Sequence, residues 1–189
     1  MQISMRALFT GIHVILFGWF FIAAIFTVVV ELVRSSNQTQ PSELTPRGYS
    51  LARIYLIATV AAGWIAVLLG AYVVYPWYRA IPPAGLTNLS GYPQALLQSS
   101  PATSDLHELG MEWKEHIAWF APIAMTAVAY VLLHCRSAVQ KTARIRAAVL
   151  TFALFALIAA GIAGFWGAMI DKTAPIKGGT TIHLMGGQQ

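Results

Sequence analysis

Two histidines set the chemistry that this 189-residue sequence can be asked to do. His13 lies inside a run without charged side chains, Ala7–Val30, and His116 directly precedes another, Ile117–Cys135. A pair of imidazoles on two helices at similar depth is what a b-type haem needs, each ring supplying one axial nitrogen while the macrocycle fills the space between the helices. His13 falls about six residues into its charge-free run and His116 about three into its helix, an offset near 5 Å at 1.5 Å per residue. A helix tilt of about 20° absorbs that difference. Leu16, Phe17 and Phe20 follow His13 at helical spacing, and Phe120, Ile123, Ala124 and Ala127 follow His116, so each histidine has an apolar wall beside it. Arg79 and Lys114 are the cations placed to neutralise two propionates. The spacing therefore predicts haem iron on His13 and His116, with His107 in reserve and His134 dispensable. The alternative is plainer: a lone histidine near a helix end hydrogen-bonds a carbonyl or interfacial water and needs no cofactor.

A second constellation is His107-Glu108, Glu112 and Glu115-His116. Glu108, Glu112 and His116 are spaced i, i+4 and i+8, so one continuous helix stacks them on one face. Carboxylate-bridged metal bundles, however, take carboxylates from several helices, and the other apolar runs hold none. An interfacial charged turn anchoring the helix is the simpler expectation. The third, Tyr75-Pro76-Trp77-Tyr78-Arg79, combines a helix-ending proline with interfacial aromatics. Its guanidinium beside aromatic faces suits a headgroup, a quinone head or a propionate. There is no phosphate-binding Gly-rich loop, Ser/His/Asp arrangement or HExxH motif, and no catalytic residue is assigned. The single cysteine, Cys135, excludes an internal disulfide.

What must position these groups follows from composition. Only 10% of residues are charged and 57% are apolar, far from the balance of a soluble domain. Four runs contain no Asp, Glu, Lys or Arg: Ala7–Val30, Ile54–Tyr78, Ile117–Cys135 and Ala147–Ile170. About 20 apolar residues cross a hydrocarbon layer of about 30 Å as a helix. Continuous apolar runs suit helices rather than barrel strands, which alternate. The expected fold is all-α, a single-domain integral membrane four-helix bundle, with helices at about 5–32, 51–77, 113–134 and 145–170 and a non-spanning segment over 80–112. Within that segment Thr103 or Ser104 is expected to cap a helix from Asp105 that runs across Gly110 into the third span. Ser35–Ser50 reads as a loop and Lys172–Gln189 as a loose tail. Ala58, Ala62, Ala66 and Gly70, and Ala156, Ala160, Gly164 and Ala168, recur every fourth residue as candidate packing faces.

The net charge of +5 does not point to nucleic acid, because the cations sit in the connections between spans. Arg136, Lys141, Arg144 and Arg146 crowd the connection between the third and fourth helices, and Arg34, Arg47 and Arg53 that between the first and second. The positive-inside rule puts both in the cytoplasm and the two termini outside, in the periplasm of a bacterial inner membrane. The strings Tyr-Pro-Trp-Tyr-Arg (75–79) and Trp-Lys-Glu-His-Ile-Ala (113–118) resemble those of small bacterial four-helix membrane proteins in which a Tyr-Pro-x-Tyr-Arg helix end precedes a Lys-Glu-His helix start. The resemblance implies that Arg79 and His116 lie near one surface; it carries no activity over. The expectation is a small membrane subunit, in contact with the lipid bilayer and other membrane subunits, that binds haem b and transfers electrons. The alternative is a cofactor-free accessory or assembly subunit; a transporter or proton path is weaker, because no helix interior carries an acid or a base other than histidine.

Overall fold

A computed structural model describes residues 2–36 and 46–183. A short strand β1 (Gln2–Ser4) leads into α1 (Met5–Ser36), which is followed by α2 (Arg47–Tyr78), the short α3 (Pro93–Gln98), α4 (Pro101–His134), the short α5 (Arg136–Lys141), α6 (Ala143–Thr173) and strand β2 (Thr181–His183). The four long helices are each long and apolar enough to cross a membrane, and the chain is the all-α four-helix bundle its composition predicts. The end carrying β1 and β2 is called the upper end below. Tyr75, Trp77, Tyr78, Trp113 and Trp166 gather there, as an interfacial aromatic belt should.

The bundle closes as a ring: α4 packs on α6, α6 on α1, α1 on α2 and α2 on α4. Phe21, Ile25, Val28 and Leu32 line the inner face of α1 at helical spacing and meet Ala121, Met125 and Val128 of α4 and Ala153, Ala156 and Ala160 of α6 in one core. Ile15, Phe26, Ile54, Tyr130, Phe152 and Ile158 point outward. Large apolar side chains on the outside are what a lipid solvent permits, since lipid tails are as apolar as leucine. Polar groups at this depth are tied across helices instead: Trp64 Nε1 donates to Thr126 Oγ1 at 3.1 Å, Trp113 Nε1 to the Ala159 carbonyl at 3.1 Å, and Tyr55 to the Ala24 carbonyl at 3.3 Å.

Three expectations need correction. The third span is longer than 113–134, because its helix begins at Pro101; Ser100, not Thr103 or Ser104, caps it by accepting from the Ala102 N–H. Proline at the first helical position has no N–H to leave unsatisfied. Gly110 does not break this helix; it packs against Trp166 and Ile170 of α6. The small-residue face of α6 holds at Ala156 and Ala160 and reaches Ile22 at Gly164, but Ala168 is exposed. Steps of four residues over-rotate an α-helix by about 40° each, so a strict i+4 stripe leaves the interface. The tail is not wholly loose: Gln2–Ser4 pairs antiparallel with Thr181–His183, Ile3 opposite Ile182. Gly178 and Gly179, at φ +87° and +86°, adopt the left-handed conformation that turns it back. Most of the expected Ser35–Ser50 loop lies outside the described residues.

Candidate functional site

Near the upper end α1, α2 and α4 each contain a π-helical turn, over Ile12–Trp19, Gly70–Val74 and Trp113–Ile117. The wider hydrogen bonds are explicit: the Tyr75 N–H donates to the Gly70 carbonyl and the Ala118 N–H to the Trp113 carbonyl at 3.0 Å. Such turns are costly in an isolated helix and concentrate at functional sites. Each inserts a residue and so rotates the side chains beyond it by about 100°. Here all three border one cavity of about 450 Å³, with walls from all four long helices.

His13 of α1 lines this cavity. Its ring lies beside the main-chain carbonyl of Ala66, and its Nδ1 is buried without a hydrogen-bond partner among the described residues. The ring fits because α2 presents Gly70 there: a β-carbon at that position would stand 2.7 Å from His13 Cε1. The stripe Ala62, Ala66 and Gly70 thus does more than pack helices; its last member makes room for an imidazole.

Lys114 enters the same cavity from the π turn of α4. Its Nζ lies 3.1 Å from where a β-carbon of Gly167 would be, so α6 leaves space for the ammonium. No hydrogen bond or ion pair holds it among the described residues. Asp171 of α6 and His13 of α1 line the cavity with it. The neighbouring Glu115 is already engaged, accepting from the Tyr75 hydroxyl at 2.5 Å, while Arg79 lies over the Tyr75 ring at 5.4 Å. Tyr78 is buried at the cavity wall, and its hydroxyl meets His107 Nδ1 at 2.7 Å.

A second pocket, of about 430 Å³ and open at the upper surface, is lined by Arg79, Gln94, His107, Glu108 and Glu112 and shares Tyr75, Met111 and Glu115 with the first. His116 lies in neither. Its side chain is 65% exposed and folds onto its own helix, with Nδ1 3.1 Å from the Glu112 carbonyl and 3.2 Å from the Glu112 carboxylate. His134, at the far end of α4, stacks on Tyr130 and meets that residue's carbonyl at 3.1 Å.

Of the four residues singled out in the sequence, His13 and Lys114 therefore share a cavity, whereas Arg79 and His116 face the surface above it. The Glu108, Glu112 and His116 series survives as a surface pairing of Glu112 with His116, and no cluster of three or more potential metal ligands occurs among the described residues. Sequence reasoning missed Asp171, Tyr78, Gly70 and Gly167 as parts of the site. Gly70 carried a signal, since it ends a small-residue stripe at the depth of His13; Asp171, one residue beyond an apolar run, carried none. Comparisons with protein-family models, with curated proteins and with solved structures give no match.

Proposed function

We propose that the protein is a small integral membrane subunit that holds a redox-active amphiphile, a b-type haem, in the upper cavity and passes electrons within a larger membrane complex. The observation that carries this is one cavity in which the His13 Nδ1 is buried without a hydrogen-bond partner and the Lys114 ammonium makes no hydrogen bond or ion pair among the described residues. Buried polar groups without partners are costly at membrane depth. One molecule offering both a metal centre and a carboxylate answers both.

The donor set fits a haem held through one histidine. His13 is the ligand, its ring seated against Gly70 and its Nδ1 without a hydrogen-bond partner among the described residues. Lys114 is the partner of a propionate. His116, expected from the sequence as the second ligand, lies outside the cavity, and Arg79 lines the surface pocket. Haem supplies one-electron chemistry when bound; the chain supplies the ligand, a counter-charge and an apolar wall. The closure of His116 on Glu112 favours the second proposal, a cofactor-free accessory subunit.

A reduced-minus-oxidised visible spectrum of the detergent-purified protein separates the two. The haem proposal expects a band that His13→Ala abolishes and that His116→Ala and His134→Ala leave in place. A colourless wild-type protein, or a band that survives His13→Ala, ends it in favour of the accessory subunit.

The same proposal places the upper end in the periplasm of a bacterial inner membrane, supported by the cations between α1 and α2 and around α5. Cys135, exposed at the lower end of α4, tests this. A membrane-impermeant thiol reagent should label it only in opened cells; labelling in intact spheroplasts inverts the topology.

A further inference from the structure

Lys114 brings a cation into a cavity whose other charged groups are acids. Glu115 of α4 and Asp171 of α6 line it with Lys114; α1 contributes His13 and α2 the hydroxyls of Tyr75 and Tyr78. Arg79 is absent from its wall and lines the pocket above. Glu115 accepts from the Tyr75 hydroxyl, and Gly167 keeps the space beside Nζ open. Trp19 and Tyr72, which also line the cavity, are 61% and 71% exposed on the outer surface of the bundle, so the cavity communicates with the hydrocarbon layer. An occupant can therefore enter sideways from lipid with its polar head directed at Lys114.

From this we infer that the cavity is a carboxylate-selective site for a membrane-dissolved amphiphile, in which Lys114 binds the head group while Asp171 and Glu115 exclude phosphate. Lys114 is the only lysine or arginine on the cavity wall among the described residues. A phosphate monoester brings close to two negative charges at neutral pH, and the second would face the carboxylates of Asp171 and Glu115 on the same wall. The inference rests on occupancy of the cavity proposed above and narrows its chemistry. The carboxylate comes either from a haem propionate or from a fatty-acid-type lipid.

The test uses the full chain in nanodiscs of zwitterionic lipid, with visible absorption and binding of spin-labelled stearic acid read on the same preparation. If the protein is colourless, the stearate probe should give a saturable immobilised signal. Lys114→Met should weaken that binding about tenfold or more, the scale of one charge-assisted hydrogen bond, while Lys114→Arg and Arg79→Met retain it. A spin-labelled alkyl phosphate of equal chain length should bind about tenfold more weakly than stearate to the wild type, and Asp171→Asn should narrow that gap. If the protein is coloured, Lys114→Met should lower its haem content and Arg79→Met should not. Lys114→Gln, which removes the charge but keeps a polar end, should weaken occupancy in either arm and serves if Lys114→Met does not fold. A folded Lys114→Met or Lys114→Gln protein with unchanged occupancy overturns the inference, as does equal affinity for phosphate and carboxylate. Stearate binding to a colourless protein would end the haem proposal and leave this one standing; a haem band indifferent to Lys114 would do the reverse.

Discussion

Gly70→Val is expected to destabilise the bundle by about 1–3 kcal/mol, the range of an overpacked interior, and to displace the His13 ring in the upper cavity. A β-carbon there would stand 2.7 Å from His13 Cε1 and 3.2 Å from Nε2, and the atoms in its way belong to a ring rather than to the end of a flexible chain. The ring has little room to retreat, with Ala66 beside it and Nδ1 already buried. Shifting α2 instead would disturb the π turn that begins at Gly70. The clash predicts strong coupling between the two positions. His13→Ala should restore much of the stability that Gly70→Val removes, with an interaction energy of about 1 kcal/mol or more by thermal unfolding in detergent. Simple additivity of the two changes would show that the glycine is not there for the histidine.

Ala156→Leu should have the other large effect. Ala156 has no exposed surface, and it belongs to the core in which α6 packs against α1 and α4. Three added carbons there must separate helices whose association in lipid depends on close packing alone, because dispersion contacts fall steeply with distance. The expected loss is about 1–3 kcal/mol, visible as a lowered melting temperature and as loss of the folded species on a native gel. Ala168→Leu is the control: the residue is exposed, so its effect should stay within about 0.5 kcal/mol. Equal damage at both positions would mean that the face of α6 containing Ala168 is also covered, by another subunit rather than lipid.

The contrast between these two alanines illustrates what pattern alone conveys. Both stand in the same i+4 series, and the helix carries only one of them inward. The same holds for the histidines. Depth could be counted from the sequence, and His13 and His116 do lie toward the same end of the bundle. Azimuth could not: the π turn at Trp113–Ile117 puts Lys114 and Glu115 on the cavity and leaves His116 outside, folded onto Glu112. Asp171 illustrates a different limit, since it joins the site only because α6 and α4 lie side by side.

The sequence by itself determined that there are four helices long and apolar enough to span a membrane, roughly where they run, that aromatics collect at one end, and that His13 is an ionisable group set inside an apolar run. These are consequences of composition and length. A backbone in hydrocarbon must satisfy its own hydrogen bonds, so any sufficiently long uncharged run becomes a helix whatever its neighbours do. The tertiary structure alone decided which side chains meet. One residue inserted into a helical turn rotates everything beyond it by about 100°, and whether a turn accepts that residue depends on packing against the adjacent helices rather than on local propensity. That is why His13 and Lys114 share a cavity with Asp171, and why His116, at the depth the sequence predicts, points away from it.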